Sequence, residues 1–250
     1  MEELELFKKR VDSLIEKAYS GNVCLLPFLD EAMLGILKEK EKQSGCCVYT
    51  NGGILNADRL RAIISMYDVK KDDFKIVIFK INYNKKYYEI NHRSILGSLM
   101  GLGIKRECIG DIVISKDFDA YFAATLEISK YIMDNLSFIG KTPIELEIIK
   151  DEITNIIRYE DKNSFIASLR LDVIIAEAYN MSRSLALEMI QGGLVYINHI
   201  LITNSSHIVK LDDEISVRHK GRVKLSKIGG CSRSGRICVT LSKRVWGFYE

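Results

Sequence analysis

The sequence predicts an α+β protein in several parts: a mostly helical N-terminal subdomain over residues 1–70, a βαββαβ unit over 71–150, a linker over 151–163, and over 164–250 two short helices on a small antiparallel sheet with a basic extension. Three observations lead there. At 250 residues and 28.5 kDa, the chain is long for one modest core and suits two or three domains. Its hydrophobic period changes along the chain, from three-and-four spacing near the start to strand-like runs between 74 and 149. Its charge is divided: 164–250 holds 12 Lys and Arg against 7 Asp and Glu, whereas 1–163 holds 24 against 26.

In the first part, Leu4, Phe7, Val11, Leu14 and Ala18 fall on one face and predict a helix over 2–19. Asp30 is a candidate N-cap for a second helix ending near Gln43. Cys46 to Tyr49 reads as a short strand, followed by an Asn51-Gly52-Gly53 turn. A third helix is expected from Asn56 or Ala57 to Met66, with Leu60, Ile63 and Ile64 inward.

The second part has a clearer order. Phe74 to Ile81 is rich in Ile, Val and Phe and predicts a strand, with a short return strand at Tyr87 to Ile90. A helix follows over 91–102, with Ile95, Leu99 and Leu102 as its stripe and Gly103 as its stop. Strands at 111–114 and 118–123, a helix at 125–136 and a strand at 143–149 complete the unit. Without the return strand this is the split βαβ order of ferredoxin-like and RNA-recognition folds. Phe118, Tyr121 and Phe122 are candidate stacking rings, although the Gly-Phe-Gly-Phe-like core motif of RNA-recognition motifs is missing, and half-buried strand positions favour packing. Gly97-x-x-x-Gly101-x-Gly103 does not match a dinucleotide-binding fingerprint and ends a helix instead of opening one; close helix packing and a turn are the expected causes. Lys105 and Arg106, just after it, form a candidate secondary phosphate contact or a solvated turn.

In the last part, Ser182 is a good N-cap and Arg183 opens its helix. A helix N-terminus offers free N–H groups and a positive dipole end, which suit phosphate. A cation in that first turn is mildly unfavourable, and makes sense opposite a polyanion. Gly192-Gly193 allows the helix to stop before the next strand. Arg170 has two readings, an RNA contact or an ion pair with Asp172 or Glu177; Asp172 is expected to be structural, since a carboxylate repels phosphate. From Ile215 to Tyr249 nine basic residues occur with no carboxylate: Arg218, Lys220, Arg222, Lys224, Lys227, Arg233, Arg236, Lys243 and Arg244. Interleaved apolar residues predict short strands presenting this charge, an anion-binding surface for which nucleic acid is the commonest ligand.

Other chemistries find little support. No Cys-x-x-Cys or HExxH pattern marks a metal site, and neither metal nor cofactor is expected. No apolar run approaches a membrane span. The acidic start, Met1-Glu-Glu-Leu-Glu, is unlike a secretory signal, so a cytoplasmic protein with reduced cysteines is expected.

The stretch from Ser168 to Arg218 resembles the S4 RNA-binding domain: Arg170-Leu-Asp172, Met181-Ser182-Arg183, Gly192-Gly193-Leu-Val195-Tyr-Ile197-Asn198, and Leu211-Asp212-Asp213-Glu-Ile215. His199 stands where glycine normally follows the turn asparagine, and Asp212 where glycine precedes the aspartate. Beyond it, the block His92-Arg93-Ser94 through Gly110-Asp111-Ile112 resembles the signature of the YlmH family, as do Phe28-Leu29-Asp30, Gly52-Gly53 and Ala57-Asp58-Arg59. The tail Gly221-Arg222 with Gly230-Cys-Ser232-Arg233-Ser-Gly235-Arg236 resembles that family's basic C-terminal element, with Ser-Arg-Ser in place of Thr-Lys-Lys.

The resemblance implies a non-enzymatic RNA-binding protein associated with ribosomes, on the large subunit and near peptidyl-tRNA, with a link to cell-division genes. The expected RNA contacts are Arg170, Ser182, Arg183, Arg218, Lys220, Arg222, Lys224, Arg233 and Arg236. The expected partner is rRNA or tRNA, bound by a monomer. Two rivals remain: an interaction module for division proteins, and an RNA-modifying enzyme using S4 for substrate binding. The enzyme would need a catalytic Asp motif that 1–163 does not display.

Overall fold

The computed structural model describes residues 2–115, 117–155 and 158–245. They form two compact units that divide between Asn155 and Arg158.

The first unit begins with α1 (Glu2–Tyr19), β1 (Cys24–Leu29), α2 (Glu31–Ser44), β2 (Cys47–Asn51) and β3 (Leu60–Ser65). Asp30 caps α2 by accepting the Met33 N–H, as its sequence position suggests. The helix expected over 56–66 is instead a turn followed by β3, the central strand of a β1-β3-β2 sheet. Ala62, Ile63 and Ile64 are buried in succession because β3 is covered on both faces. Such a run carries no period that separates helix from strand. The region is therefore a helix pair on a three-stranded sheet, with a strand in place of the third expected helix.

Next come β4 (Ile76–Asn82), α3 (His92–Gly101), β5 (Ile109–Ile114), β6 (Ala120–Thr125), α4 (Leu126–Asn135), a small hairpin of β7 (Phe138–Ile139) and β8 (Thr142–Pro143), and β9 (Glu145–Ile149). The expected return strand at 87–90 is a turn: the Tyr87 and Tyr88 N–H groups donate to the Asn84 carbonyl, and Asn91 caps α3. The sheet order β5-β6-β4-β9 is antiparallel throughout, as the split βαβ reading requires. One face packs on α3 and α4 through Val77, Phe79, Ile81, Ile112, Phe122 and Ile132. Phe122 is a core residue stacked on Phe79 at 4.8 Å. Phe118 lies exposed in the β5–β6 turn at φ 60°.

The other sheet face is also occupied. Phe28 from β1 and Ile54 pack on Ile78, Val113 and Ala123. Gly110 makes this possible: a Cβ there would stand 2.7 Å from the Phe28 ring and 2.9 Å from the Ala123 Cβ. A Cβ on Gly53 would meet Ile76 at 2.6 Å. Buried Asp111 accepts the backbone N–H groups of Asp58 and Arg59 at 2.8 and 3.0 Å, and the Arg59 side chain donates to the carbonyls of Ile109 and Phe28. We expect Gly110→Ala to lower the stability of this unit by about 1–3 kcal/mol through overpacking, read as a lower denaturant midpoint.

The second unit contains β10 (Arg158–Ile166), α5 (Leu171–Ala178), α6 (Arg183–Gln191), β11 (Val195–Ile197), β12 (Ile200–Leu201), β13 (Glu214–Val217), β14 (Gly221–Cys231) and β15 (Ile237–Val245). The sheet runs β10-β15-β14-β13-β11-β12. The linker expected over 151–163 does not hold beyond Asn155, because β10 pairs with β15 from Arg158↔Val245 to Ile166↔Ile237. Its polar composition is that of a charged edge strand. Its Lys162 ammonium bonds the Glu177 carboxylate at 2.8 Å, the Glu177 carbonyl and the Asn180 side chain. The β11–β12 turn places Asn198 and His199 at φ 50° and 71°, and Asp212 has φ 68°, so both residues that stand in place of glycine adopt left-handed backbone.

Candidate nucleic-acid interface

Asp172, in the first turn of α5, has a side chain only 7% exposed. Burial alone would raise its pKa. Two guanidinium groups reverse this: Arg170 holds it in a fork at 3.0 and 3.2 Å, and Arg183 donates at 2.6 Å. The hydrogen bonds and charges of the arginines outweigh desolvation and hold the carboxyl below its ordinary range. Arg170 and Arg183 thus come together at the starts of α5 and α6. Their side chains remain 37% and 61% exposed, so each keeps donors facing water. Ser182 caps α6 by accepting the Leu185 N–H at 3.2 Å. Two cations on one carboxylate leave a net positive, oriented site, and a planar fork suits phosphate.

A depressed carboxyl has a definite sign in stability. Asp172 and Glu177, the latter held down first by its Lys162 hydrogen bond, contribute fully above the unfolded pKa near about 4, and that contribution is lost as pH falls through their lower folded values. We expect the melting temperature of the wild-type chain to fall between pH 5 and 3. The fall should be shallower in Asp172→Asn.

The basic C-terminal residues do not form one patch. Arg222 is buried and pairs with Glu214 at 3.2 Å, and Lys224 pairs with Asp212 at 2.9 Å. Arg222 therefore serves the sheet and not, as expected, an RNA-facing surface, whereas Lys224 keeps a side chain 36% exposed beside its partner. The Lys243 ammonium lies 5.3 Å from the centre of the Tyr179 ring. Arg218 and Lys220 are exposed at the β13–β14 turn. Arg233 and Arg236 are exposed at the β14–β15 turn, which closes through Ser232 and Gly235. The two turns lie at opposite ends of β14, roughly 30 Å apart at strand rise. Arg170 follows β10 by four residues, and β10 ends opposite Ile237, beside the Arg233–Arg236 turn. We expect Arg233→Gln and Arg236→Gln each to reduce the log–log salt slope of RNA binding by about one without a change in melting temperature. Arg222→Gln should do the reverse.

The secondary candidates also separate. Lys105 is exposed. Arg106 is turned inward, donating to the carbonyls of Ile109 at 2.6 Å and Gly110 at 3.2 Å. Burial and neighbouring Arg59 bring its pKa down to about 10, and its guanidinium, partly buried, is engaged with the backbone, whereas the Lys105 ammonium is free to face solvent. Among the described residues, no cluster of His, Cys, Asp and Glu could hold a metal, and no helix is long and apolar enough to cross a membrane.

The S4 domain model matches residues 169–215, which contain the Arg170–Asp172–Arg183 cluster. A second model, described as "Putative RNA-binding domain in YlmH", matches residues 69–153. A Bacillus subtilis (strain 168) protein named ribosome-associated protein quality control protein P2 is 31% identical over 224 residues, covering 88% of this chain and 87% of its own. The chain belongs to the YlmH family. The solved structure of cell division protein ylmH from Streptococcus pneumoniae superposes with a TM-score of 0.51 at 26% identity, over 59% of this chain and 91% of that one.

With the YlmH assignment in place, the signature residues acquire distinct roles. Phe28, Gly53, Asp58, Arg59, Gly110 and Asp111 all lie at the joint between the N-terminal sheet and the βαββαβ sheet. They are architectural, and they cover much of the sheet face on which an RNA-recognition motif stacks bases. Gly97 and Gly101, from the same block, do not join them: a Cβ at either would meet nothing within 4 Å. The close helix packing expected there is absent among the described residues.

Proposed function

We propose that this chain is a ribosome-associated RNA-binding factor that recognises structured rRNA or tRNA without catalysing a reaction. The observation that carries the proposal is the pair of partly exposed arginines held on buried Asp172 at the starts of the two S4 helices. Such a site contacts phosphate in a fixed orientation, and it needs a structured partner to engage both cations at once. The name of the Bacillus subtilis relative supports the ribosome as the place of action and quality control as the process. Large-subunit RNA close to peptidyl-tRNA is the specific target we favour, bound by a monomer in the cytoplasm. The non-enzymatic reading is supported by the two buried aspartates, Asp111 and Asp172, which are both engaged, one with backbone N–H groups and one with arginines.

Sedimentation of cell lysate through a density gradient tests this. At low salt the protein should travel with large subunits, and it should move to the top at high salt as phosphate contacts are screened. Protein remaining at the top at low salt would overturn the proposal and favour a part in cell division, the process for which the Streptococcus pneumoniae protein is named.

A further inference from the structure

The six-stranded sheet of the second unit packs one face on α5 and α6 through Val223, Leu225, Val239 and Leu241. Alternate residues of β10, β15 and β14 turn to the other face. Asn163 and Phe165 stand there opposite Thr240 and Cys238. β14 is bulged beside them: Leu225 pairs with Leu241 and Lys227 with Thr240, which leaves Ser226 extra and brings Lys227 onto this face. Asn163, Lys227, Gly229, Cys238, Val239 and Thr240 surround an open cavity of about 150 Å³. That is smaller than a drug-sized site and suits one planar ring system. Gly229 keeps it open, since a Cβ there would stand 3.3 Å from the Cys238 Cβ.

The side chains around this cavity are unevenly satisfied. The Asn163 carbonyl oxygen accepts the Thr240 hydroxyl at 2.7 Å, so its NH2 group is left to donate and makes no hydrogen bond among the described residues. Lys227 is exposed, makes no ion pair among the described residues and can only donate. Phe165, the cross-strand neighbour of Cys238, is 55% exposed. A lone exposed phenylalanine is ordinary. One beside a ring-sized cavity with two donors is a stacking platform. Charge gives the site a direction. Exposed Arg236 lies two residues from Cys238, about 7 Å away at strand rise. On the other side, Asp161 lies two residues before Asn163 on the same face, accepts the Ser242 hydroxyl at 2.5 Å, and repels phosphate.

We propose that this cavity binds one unstacked base of single-stranded RNA, with the ring against Phe165, its carbonyl oxygens on Asn163 and Lys227, and its phosphates toward the Arg233–Arg236 turn. The inference rests on the RNA-binding reading above and adds a site outside residues 69–153 and 169–215. Bases splayed from loops and bulges are read by stacking on aromatic rings and by hydrogen bonds to their edges, which is what a ring, a cavity and two donors provide. The two donor side chains favour uracil, whose edge carries two carbonyl oxygens, over adenine, which has none. The arginines on Asp172 then position RNA through phosphate, while this cavity reads a base.

The test uses the full chain, labelled uridine and adenosine oligomers of about ten nucleotides, and fluorescence anisotropy at low salt. Wild type should bind the uridine oligomer about tenfold tighter than the adenosine one. Phe165→Ala should weaken both by about tenfold, because every base has a face to stack. Asn163→Ala should remove most of the preference and leave adenosine binding unchanged. Both side chains are exposed, so the melting temperature should stay at the wild-type value. Arg183→Gln, measured on ribosomal RNA extracted from large subunits, is the S4 control. If Phe165→Ala and Asn163→Ala bind both oligomers as wild type does, the cavity is the wrong site; weaker ribosomal RNA binding by Arg183→Gln then leaves the S4 reading standing. Wild type that binds ribosomal RNA but does not distinguish the oligomers overturns the base assignment in the same way. Wild type that binds neither ribosomal RNA nor oligomers sinks both. Variants that bind RNA normally but no longer sediment with subunits would show that the face seats a protein, and would overturn the proposal.

Discussion

Asp172→Asn should lower the stability of the second unit by about 1–3 kcal/mol, the scale for removing a charged partner from a buried hydrogen-bonded cluster. The lower half of that range is expected because Arg170 and Arg183, at 37% and 61% exposure, can turn to water once the carboxylate is gone. The same change should weaken RNA binding even though it removes a negative charge from the interface. Without Asp172 the two guanidinium groups lose their fixed orientation, and ordering them must then be done by the RNA. Simple electrostatics predicts tighter binding; positioning predicts weaker binding. Melting temperature and affinity measured on the same preparations distinguish the two.

The second large effect concerns the arginines. Arg170→Gln and Arg183→Gln should each weaken RNA binding by about 1–3 kcal/mol, the loss of a charge-assisted hydrogen bond to phosphate. Read from sequence alone, Arg183 is a liability to the free protein because it opposes the dipole of α6. The structure changes that balance. Its 2.6 Å bond to Asp172 offsets the dipole cost, so its loss should lower stability slightly instead of raising it. Arg170 holds Asp172 through two bonds, so its loss should lower stability more than the loss of Arg183 does.

Local signals in the sequence were legible where one residue determines one feature. Asp30 and Ser182 cap α2 and α6, and both stand in the sequence just before apolar-periodic segments; Asn91, read as the first residue of its helix, is the cap of α3. The βαββαβ order was legible because its strands are rich in β-branched residues and its helices have clear stripes. Two misreadings have physical causes. The 56–66 segment looked helical because Leu60, Ile63 and Ile64 are three and four apart, yet Ala62 and Ile63 are buried from opposite sides within a central strand. The start of β10 looked like a linker because an edge strand bonds on one side only and keeps polar side chains in water.

The site was only partly legible for a related reason. Charge is countable in a sequence, but its partners are not. Arg222 and Arg233 look alike in the basic run; one is buried against Glu214 and the other is exposed in a turn. Arg106 was indistinguishable from Lys105 until its guanidinium was seen to donate to two carbonyls. Arg170-x-Asp172 did carry the ion-pair signal, but only the structure shows that Arg183 shares the same carboxylate and that Asp172 orients both cations.

The salt dependence of RNA binding for wild type and Arg170→Gln/Arg183→Gln, compared at a temperature where both remain folded, tests the central claim most directly. The account predicts that the double variant retains a cooperative melt, loses at least about tenfold in affinity at moderate salt, and has a log–log slope reduced by about two. Equal affinity and an unchanged slope, with a much lower melting temperature, would show that the two arginines only hold Asp172 and that the S4 unit binds RNA elsewhere or not at all.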